Sequence, residues 1–537
     1  MGIFAALLLL AVVLVVVLVI QRSMSQKEDP VGATGADIVA YLVLALSMGV
    51  AGFSLASLAS TAFPGETFVF NPAEEVATSL SALVVSVPFL IYFWRRQARR
   101  RATYPGSAGW TLYLALIELV FMSAFVISAV VFLNRVLDGD VTSAWTGVLV
   151  FGAIVVFHEH AVRITPPQSD AGELRRVLGS AIGLITATVG LVGVGAGVIG
   201  LGIERLGGVP RDTGFQPWLA MFIVGAPIWW YRWLRPWDTK PAAPKLTWAV
   251  TTTTVSLSVC LGAAAGILVM ILEYLFAETT PSGRHFEMIH LALALSLTGL
   301  GIWMIHRREL RTAPRNAYLL YAYTVAAFGL AVAMSMAIAL TISTFSETLI
   351  VGRSATDVIT FASVLAVGAG TWLVLERRGM GSEEPGIISW PRRLYTLGVG
   401  AFFGLIAAGA LITAIFVLLR RVLADSQSGS LLEPVTVLVY AGLSSFYLLR
   451  FYATERAETP SAAVVAPFEV TVICAHPGMI ASRFPPQARL RVFHHDDFAG
   501  VITDEMADEI VEAVDNRPSF VWVDGDGFRI APMRASG

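Results

Sequence analysis

The stretch Gly225–Trp237, GAPIWWYRWLRPW, ends an apolar run in Trp and Tyr and then in Arg. Variants of it recur: VPFLIYFWRR at 87–96, VVFHEHAVR at 155–163, GIWMIHRR at 301–308, TWLVLERR at 371–378 and SFYLLRFY at 445–452. With Arg95, His160, Arg232, Arg307, Arg377 and Arg450 as marks, the spacings are 65, 72, 75, 70 and 73 residues. Such self-similarity marks a repeated supersecondary unit. Each interval holds two long apolar runs, so the unit reads as a helical hairpin.

Of the 537 residues, 56% are hydrophobic and 14% charged, and mean hydropathy is +0.70. Soluble domains carry about 25% charged residues. The length is therefore spent on membrane spans of about 20 residues each. A net charge of −2 leaves no basic field to attract nucleic acid. Cys260 lies in an apolar run and Cys474 in a polar tail, which argues against a structural disulfide.

Residues 3–20, IFAALLLLAVVLVVVLVI, have no basic residue before them and no A-x-A after them. They read as a retained transmembrane helix rather than a signal peptide, within an N-terminal segment 1–28. Six hairpins fill 29–455. Their helices are expected at 36–58 and 75–95, 110–133 and 144–163, 177–203 and 217–235, 247–276 and 286–305, 317–343 and 357–376, and 394–419 and 432–452. Gly193 and Gly197, four apart, form a plausible face for close helix packing. The links between hairpins, with the flanks of the array, hold 24 Lys and Arg, and the turns within hairpins hold 7. Basic residues mark the cytoplasmic side, so the N-terminus is expected outside and the C-terminus inside.

A linker at 456–466 leads to a segment of different character. FEVTVIC (468–474) and ARLRVFH (488–494) alternate like strands. TDEMADEIVEAV (503–514) reads as an amphipathic helix with Thr503 as its N-cap. FVWVDGDGFRIAP (520–532) reads as a hairpin closed by Asp-Gly. The expected fold is an all-α polytopic membrane protein of about 13 transmembrane helices with a small cytoplasmic α+β domain at 467–537.

The unit "R-x-L-Y, apolar helix, turn, apolar helix, P-x-W-x-x-x-W, basic" resembles a bacterial membrane family, the domain of unknown function 5671. The carrying residues are Pro227, Trp229 and Trp233, with the helix starts PRRLYTLGVGAFFGLI (391–406) and PRNAYLLYAYTVAAFG (314–329). Pro88 and Trp94 give a weaker copy. The remaining units lack the Pro, and 155–163 replaces the Trp pair with His-Glu-His. The resemblance covers roughly 36–455 and implies a repeated domain of a bacterial plasma membrane, with no activity attached.

Candidate chemistry is sparse. Trp94, Trp229, Trp230, Trp233, Arg232, Arg235, Trp303 and Trp372 read as interface anchors, because amphipathic rings and Arg settle at headgroup level. Such helix ends could also hold a lipid headgroup or a quinone ring, but an anchor is needed six times and a ligand site usually once. Glu118 lies about nine residues into a helix starting near Gly109, close to the bilayer midplane at ~1.5 Å per residue. No other Asp, Glu, Lys or Arg reads so deep. A charged group facing lipid there costs at least ~2.5–3.5 kcal/mol. Glu118 is therefore expected to face the bundle interior, either as a proton or cation site or as a protonated carboxyl bonded to a Ser or Thr.

His158-Glu159-His160 lacks the i, i+3 or i+4 spacing of helical metal ligands. Cys474, His476, His494 and His495 lack zinc-knuckle spacing. Asp524-Gly-Asp526-Gly starts like a calcium loop but has no Glu at position 12. The hydroxyls of Thr251–Thr254, Ser256 and Ser258 can satisfy carbonyls of their own helix, so they require no pore. There is no phosphate loop, nucleophile elbow or dinucleotide fingerprint. No metal or cofactor is expected. The reading is a non-enzymatic membrane scaffold, sensor or accessory subunit, whose partners are the lipid bilayer and other proteins reached through 467–537. The alternative is a transporter or channel that uses Glu118.

Overall fold

The computed structural model describes residues 35–62, 72–103, 108–139, 144–163, 170–205, 214–234, 243–277, 285–345, 353–383, 389–424, 430–458, 468–474, 484, 488–494, 504–514, 519–524 and 527–532. The expected helix at 3–20 and the residues Thr503, Arg235, His476 and His495 lie outside them. The described residues fall into two compact units that divide between Leu449 and Arg450.

The first unit is helical. In chain order it holds α1 (Gly35–Ala62), α2 (Pro72–Thr103), α3 (108–137), α4 (Ala144–Arg163), α5 (Asp170–Arg205), α6 (216–234), α7 (Ala243–Phe276), α8 (Ile289–Thr312), α9 (Arg315–Phe345), α10 (Arg353–Gly381), α11 (390–424) and the start of α12 (Leu432–Glu458). Every expected apolar run among the described residues is a helix. Most extend past the apolar run into polar residues, because Arg, Glu, Lys and Gln are good helix formers. α12 likewise continues through ATERAE to Glu458, so the first three residues of the expected linker are helical. Among the described residues eleven helices are long and apolar enough to cross a membrane. α6 is not among them: its 19 residues, 216–234, end in WWYRWL, which is less apolar than the other runs.

Three helices contain such a turn. It covers Glu118–Met122 in α3, Trp230–Leu234 in α6 and Leu394–Val399 in α11. A π turn inserts one residue into the helix and re-aims the side chains after it; such bulges are frequent at functional sites.

Successive helices pack as α1 on α2, α3 on α4, α5 on α6, α7 on α8 and α9 on α10. Glycine sets the closest approaches. A Cβ on Gly225 of α6 would lie 2.8 Å from the Gly183 carbonyl of α5 and would strike the Ala187 amide. A Cβ on Gly329 of α9 would lie 2.9 Å from the Gly368 carbonyl of α10. At Gly193 a Cβ would strike the Trp218 ring, and at Gly197 it would rest 3.5 Å from Phe215. Small residues give this closeness to membrane helices, where burying apolar surface drives nothing. Thr251, Thr252, Thr253 and Ser256 each donate to the carbonyl four residues back.

The two larger apolar clusters of this unit lie apart in the chain. One gathers Tyr41, Trp110, Tyr113, Phe121 and Phe151 from α1, α3 and α4. The other gathers Trp233, Tyr321, Tyr323, Tyr395 and Leu448 from α6, α9, α11 and α12. Large apolar residues such as Leu405, Ile412, Val84 and Leu46 stand exposed. Apolar surface on that scale is consistent with lipid contact.

The second unit carries a four-stranded sheet of β1 (Phe468–Cys474), β2 (Ala488–His494), β3 (Ser519–Asp524) and β4 (Gly527–Pro532), in the order β2-β1-β3-β4. α13 (Asp504–Val514) packs Ala507, Ile510 and Val514 onto Val470, Val472, Val521 and Val523. The expected hairpin is present as antiparallel β3 and β4. β1 pairs in parallel with both β2 and β3. Parallel neighbours require long crossovers; Phe484, between β1 and β2, is buried in the core.

The glycine contacts give a direct test. Gly225→Ala forces backbone apart and should cost about 1–3 kcal/mol, as overpacking does. Gly262→Ala in α7, with nothing within 4 Å of its new methyl, should be neutral or stabilising by up to about 1 kcal/mol. Thermal unfolding of the detergent-purified chain reads both; equal melting of the two variants would contradict the packing described.

Candidate functional site

Glu118 is the first residue of the π turn in α3 and is 1% exposed. It faces inward, as expected. Its partners are not hydroxyls but two guanidinium groups. Arg175 of α5 donates from Nε to Oε2 at 2.7 Å. Arg232, in the π turn of α6, places Nη2 2.9 Å from Oε1 as an ion pair without hydrogen-bond alignment. Both arginines also reach Glu159 of α4. Arg232 Nη1 lies 2.6 Å, and Arg175 Nη2 3.1 Å, from Glu159 Oε2. Two carboxylates and two guanidiniums thus form a closed ring across four helices, with formal charges that sum to zero.

Burial makes this closure necessary. Arg175 is 2% and Arg232 5% exposed, and only Glu159, at 26%, retains partial access. Removing an ion from water costs several kcal/mol, recovered only by close partners with good geometry. Arg175 comes from near the start of α5, and Glu159 and Arg232 from near the ends of α4 and α6. Glu118 therefore shares its level with three other charged groups. Gly179, one turn after Arg175, leaves the space for the ring. Any side chain there would strike the Glu118 carboxylate and would sit 3.1 Å from Arg232 Nε.

His158 extends the network. Its backbone carbonyl accepts from Arg175 Nη1 at 3.4 Å. Its Nδ1 bonds the Ile154 carbonyl at 2.8 Å, which makes Nδ1 the protonated nitrogen. Nε2 then accepts from the Tyr113 hydroxyl at 2.7 Å. The ring is fully buried against Trp94. His160, two residues on, is exposed. Among the described residues no group of three His, Cys, Asp or Glu is placed to hold a metal. The backbone pairs Cys474 with His494 across β1 and β2.

The residues read as anchors divide. Trp230 stands outward, 63% exposed. The others turn inward to a greater degree. Arg232 and Trp233 are buried, and Trp94, Trp229, Trp303 and Trp372 are partly buried. Trp303 of α8 donates to the Tyr321 hydroxyl of α9, and Trp372 of α10 to the Tyr395 hydroxyl of α11, both at 2.9 Å. Tyr395 in turn donates to buried Glu376 at 3.0 Å. Fully buried His306 of α8 stacks with Trp229 and with Trp233 of α6 and, like His158, bonds the carbonyl four residues back through Nδ1. The third π turn contains Tyr395. Each π turn thus carries a member of a buried polar contact: Glu118, Arg232 or Tyr395.

Sequence reasoning identified Glu118 but not its partners. Arg175 reads as one of many basic link residues, and Glu159 as the middle of a poorly spaced metal motif. The available signal was Gly179 four residues after Arg175, on the same helix face.

Eleven apolar helices long enough to span make this a multi-pass membrane protein by length and composition. Residues 37–167, which hold nearly all of α1 and the whole of α2–α4, match the family model of Domain of unknown function (DUF5671). No curated protein and no solved structure matches the chain. The match falls on the segment with the weaker Pro88–Trp94 copy of the motif, and it contains both acids of the ring but neither base.

The ring predicts the cost of its own disruption. Glu118→Gln leaves two buried guanidiniums with one carboxylate and should destabilise by about 3–5 kcal/mol, the range for a broken buried ion pair. Adding Arg175→Gln restores charge balance and should recover at least half of that loss. Melting temperatures of the two single variants and the double variant form the cycle; additive losses would show that the four groups do not act as one.

Proposed function

We propose that the chain is a non-enzymatic integral membrane protein whose paired helices hold a small cytoplasmic domain at the membrane as a scaffold, sensor or accessory subunit. One observation carries this reading: the single acid expected deep in the array is closed off by two arginines. A carboxylate that binds and releases protons or cations needs an unsatisfied state to return to. Glu118 has both oxygens held by guanidinium groups of neighbouring helices.

The contacts between helix pairs support a repeated architecture. Trp303–Tyr321 and Trp372–Tyr395 are the same bond in successive units, and His158 and His306 make the same backbone contact two units apart. This regularity suits a scaffold, since each unit repeats one way of joining the next. The excess of basic residues in the links supports a cytoplasmic C-terminal domain, an N-terminus outside and thirteen spans in a bacterial plasma membrane.

Two measurements test the proposal. Liposomes containing the purified protein should show no proton or monovalent-cation flux above empty liposomes under an imposed gradient. Flux that disappears in Glu118→Gln would sink the scaffold reading in favour of a transporter. A C-terminal reporter active only outside the cytoplasm should stay silent when fused after Gly537; an active one would invert the orientation.

A further inference from the structure

Where α8 and α10 end and α9 begins, a cavity of about 160 Å³ opens among their side chains. α8 contributes Trp303, Arg307 and Arg311, four residues apart and so on one face. α9 contributes Tyr318 and Tyr321, and α10 contributes Arg378. Arg307 is held in place, its guanidinium carbon 4.4 Å from the Trp303 ring centroid, a cation–π distance. Tyr321 accepts the Trp303 N–H at 2.9 Å, which leaves its own proton to donate.

Among the described residues every polar side chain on this wall donates or is cationic, and no Asp or Glu lines the cavity. The nearby acids are engaged elsewhere: Glu309, on the other side of α8, pairs with Lys245 at 3.1 Å, and Glu376 accepts from Tyr395. Three guanidiniums converge on one concavity with no acidic side chain among its described lining residues. Planar guanidiniums match phosphate oxygens in pairs. The volume equals about five water molecules and is well below the roughly 300–1,000 Å³ of ordinary small-molecule pockets. It accommodates a single phosphate with a short substituent.

What lies beside the cavity identifies the carrier. Leu297, Leu300 and Met304 stand exposed along α8, and Leu373 and Val374 along α10. These faces lead away from the arginines down the apolar length of each helix, as an acyl chain would run from its headgroup. We propose that this cavity is a specific site for a phosphate-bearing anion, supplied as the headgroup of an anionic phospholipid. It goes beyond general anchoring by headgroups, because three arginines from two helices converge on one point.

The test uses the full chain in a nonionic detergent and reads bound lipid by native mass spectrometry. Phosphatidylglycerol is compared with an uncharged diacylglycerol bearing the same acyl chains. The wild-type chain should prefer phosphatidylglycerol by about ten-fold or more. Arg311→Gln with Arg378→Gln changes two exposed rim residues and should erase that preference without altering the melting temperature or diacylglycerol binding. Arg311→Lys with Arg378→Lys keeps the charge but not the paired donors and should retain part of it; this variant decides the matter if the Gln pair fails to fold. Inorganic phosphate at millimolar concentration forms a separate arm. If it raises the wild-type melting temperature through the same arginines while phosphatidylglycerol shows no preference, the site takes a free anion and the lipid assignment falls. An unchanged phosphatidylglycerol preference in either Arg variant, or wild-type binding of neither probe, overturns the site.

Discussion

The constraint on which the helical unit depends is that charge buried among apolar helices must be neutralised by charge from another helix. Glu118 and Glu159 come from α3 and α4, and Arg175 and Arg232 from α5 and α6. Both acids lie inside the segment that matches the family model, and both bases lie in the pair of helices after it. The ring therefore works as a seam. Neither side is neutral in its interior without the other, so α5 and α6 cannot drift from α3 and α4 without exposing ions to a low dielectric. Gly179 and the π turns that carry Glu118 and Arg232 serve this closure: the first leaves space, and the others supply direction.

The three π turns have one physical logic. In a regular helix a polar residue is locked to the face given by its place in the 3.6-residue period. One extra residue in a turn rotates everything beyond it. Glu118, Arg232 and Tyr395 each lie within such a turn and each reaches a partner on another helix. A polar group that would otherwise face lipid is thereby brought inside, at the cost of poorer local backbone geometry.

Much of the fold was legible because apolar run length depends on bilayer thickness alone. The runs from Gly35 to Glu458 needed no knowledge of their neighbours to be read as helices. The aromatic and basic helix ends were harder. An Arg or Trp at the end of an apolar run looks the same whether it stands outward, as Trp230 does, or turns inward against another helix, as Arg232 and Trp233 do. The difference lies in rotation about the helix axis, and a π turn alters that rotation without altering composition. The tail shows the same limit. Alternation marked β1 and β2 as strands, but their parallel pairing depends on the path of the chain between them, which side-chain period does not encode.

The helical unit divides its packing between two means. Within a pair, backbones meet at glycine, as Gly225 meets Gly183 and Gly329 meets Gly368. Between pairs, polar side chains form the joint: a charge ring between α3–α4 and α5–α6, a His–Trp stack between α6 and α8, and Trp–Tyr bonds from α8 to α9 and from α10 to α11. Lipid offers no hydrophobic gain for association, so shape and polar pairing must supply it. Glycine contacts need long matched surfaces, and two helices joined by a short turn have them. Helices of different pairs meet over less of their length and need stronger, directional contacts at a point. Those contacts gather where second helices end and first helices begin, the level that also holds the arginine-lined cavity. The same end of the array thus carries its joints and its surplus positive charge. The ring between α3–α4 and α5–α6 is a joint made of ions, and breaking it therefore costs more than breaking a neutral Trp–Tyr bond farther along.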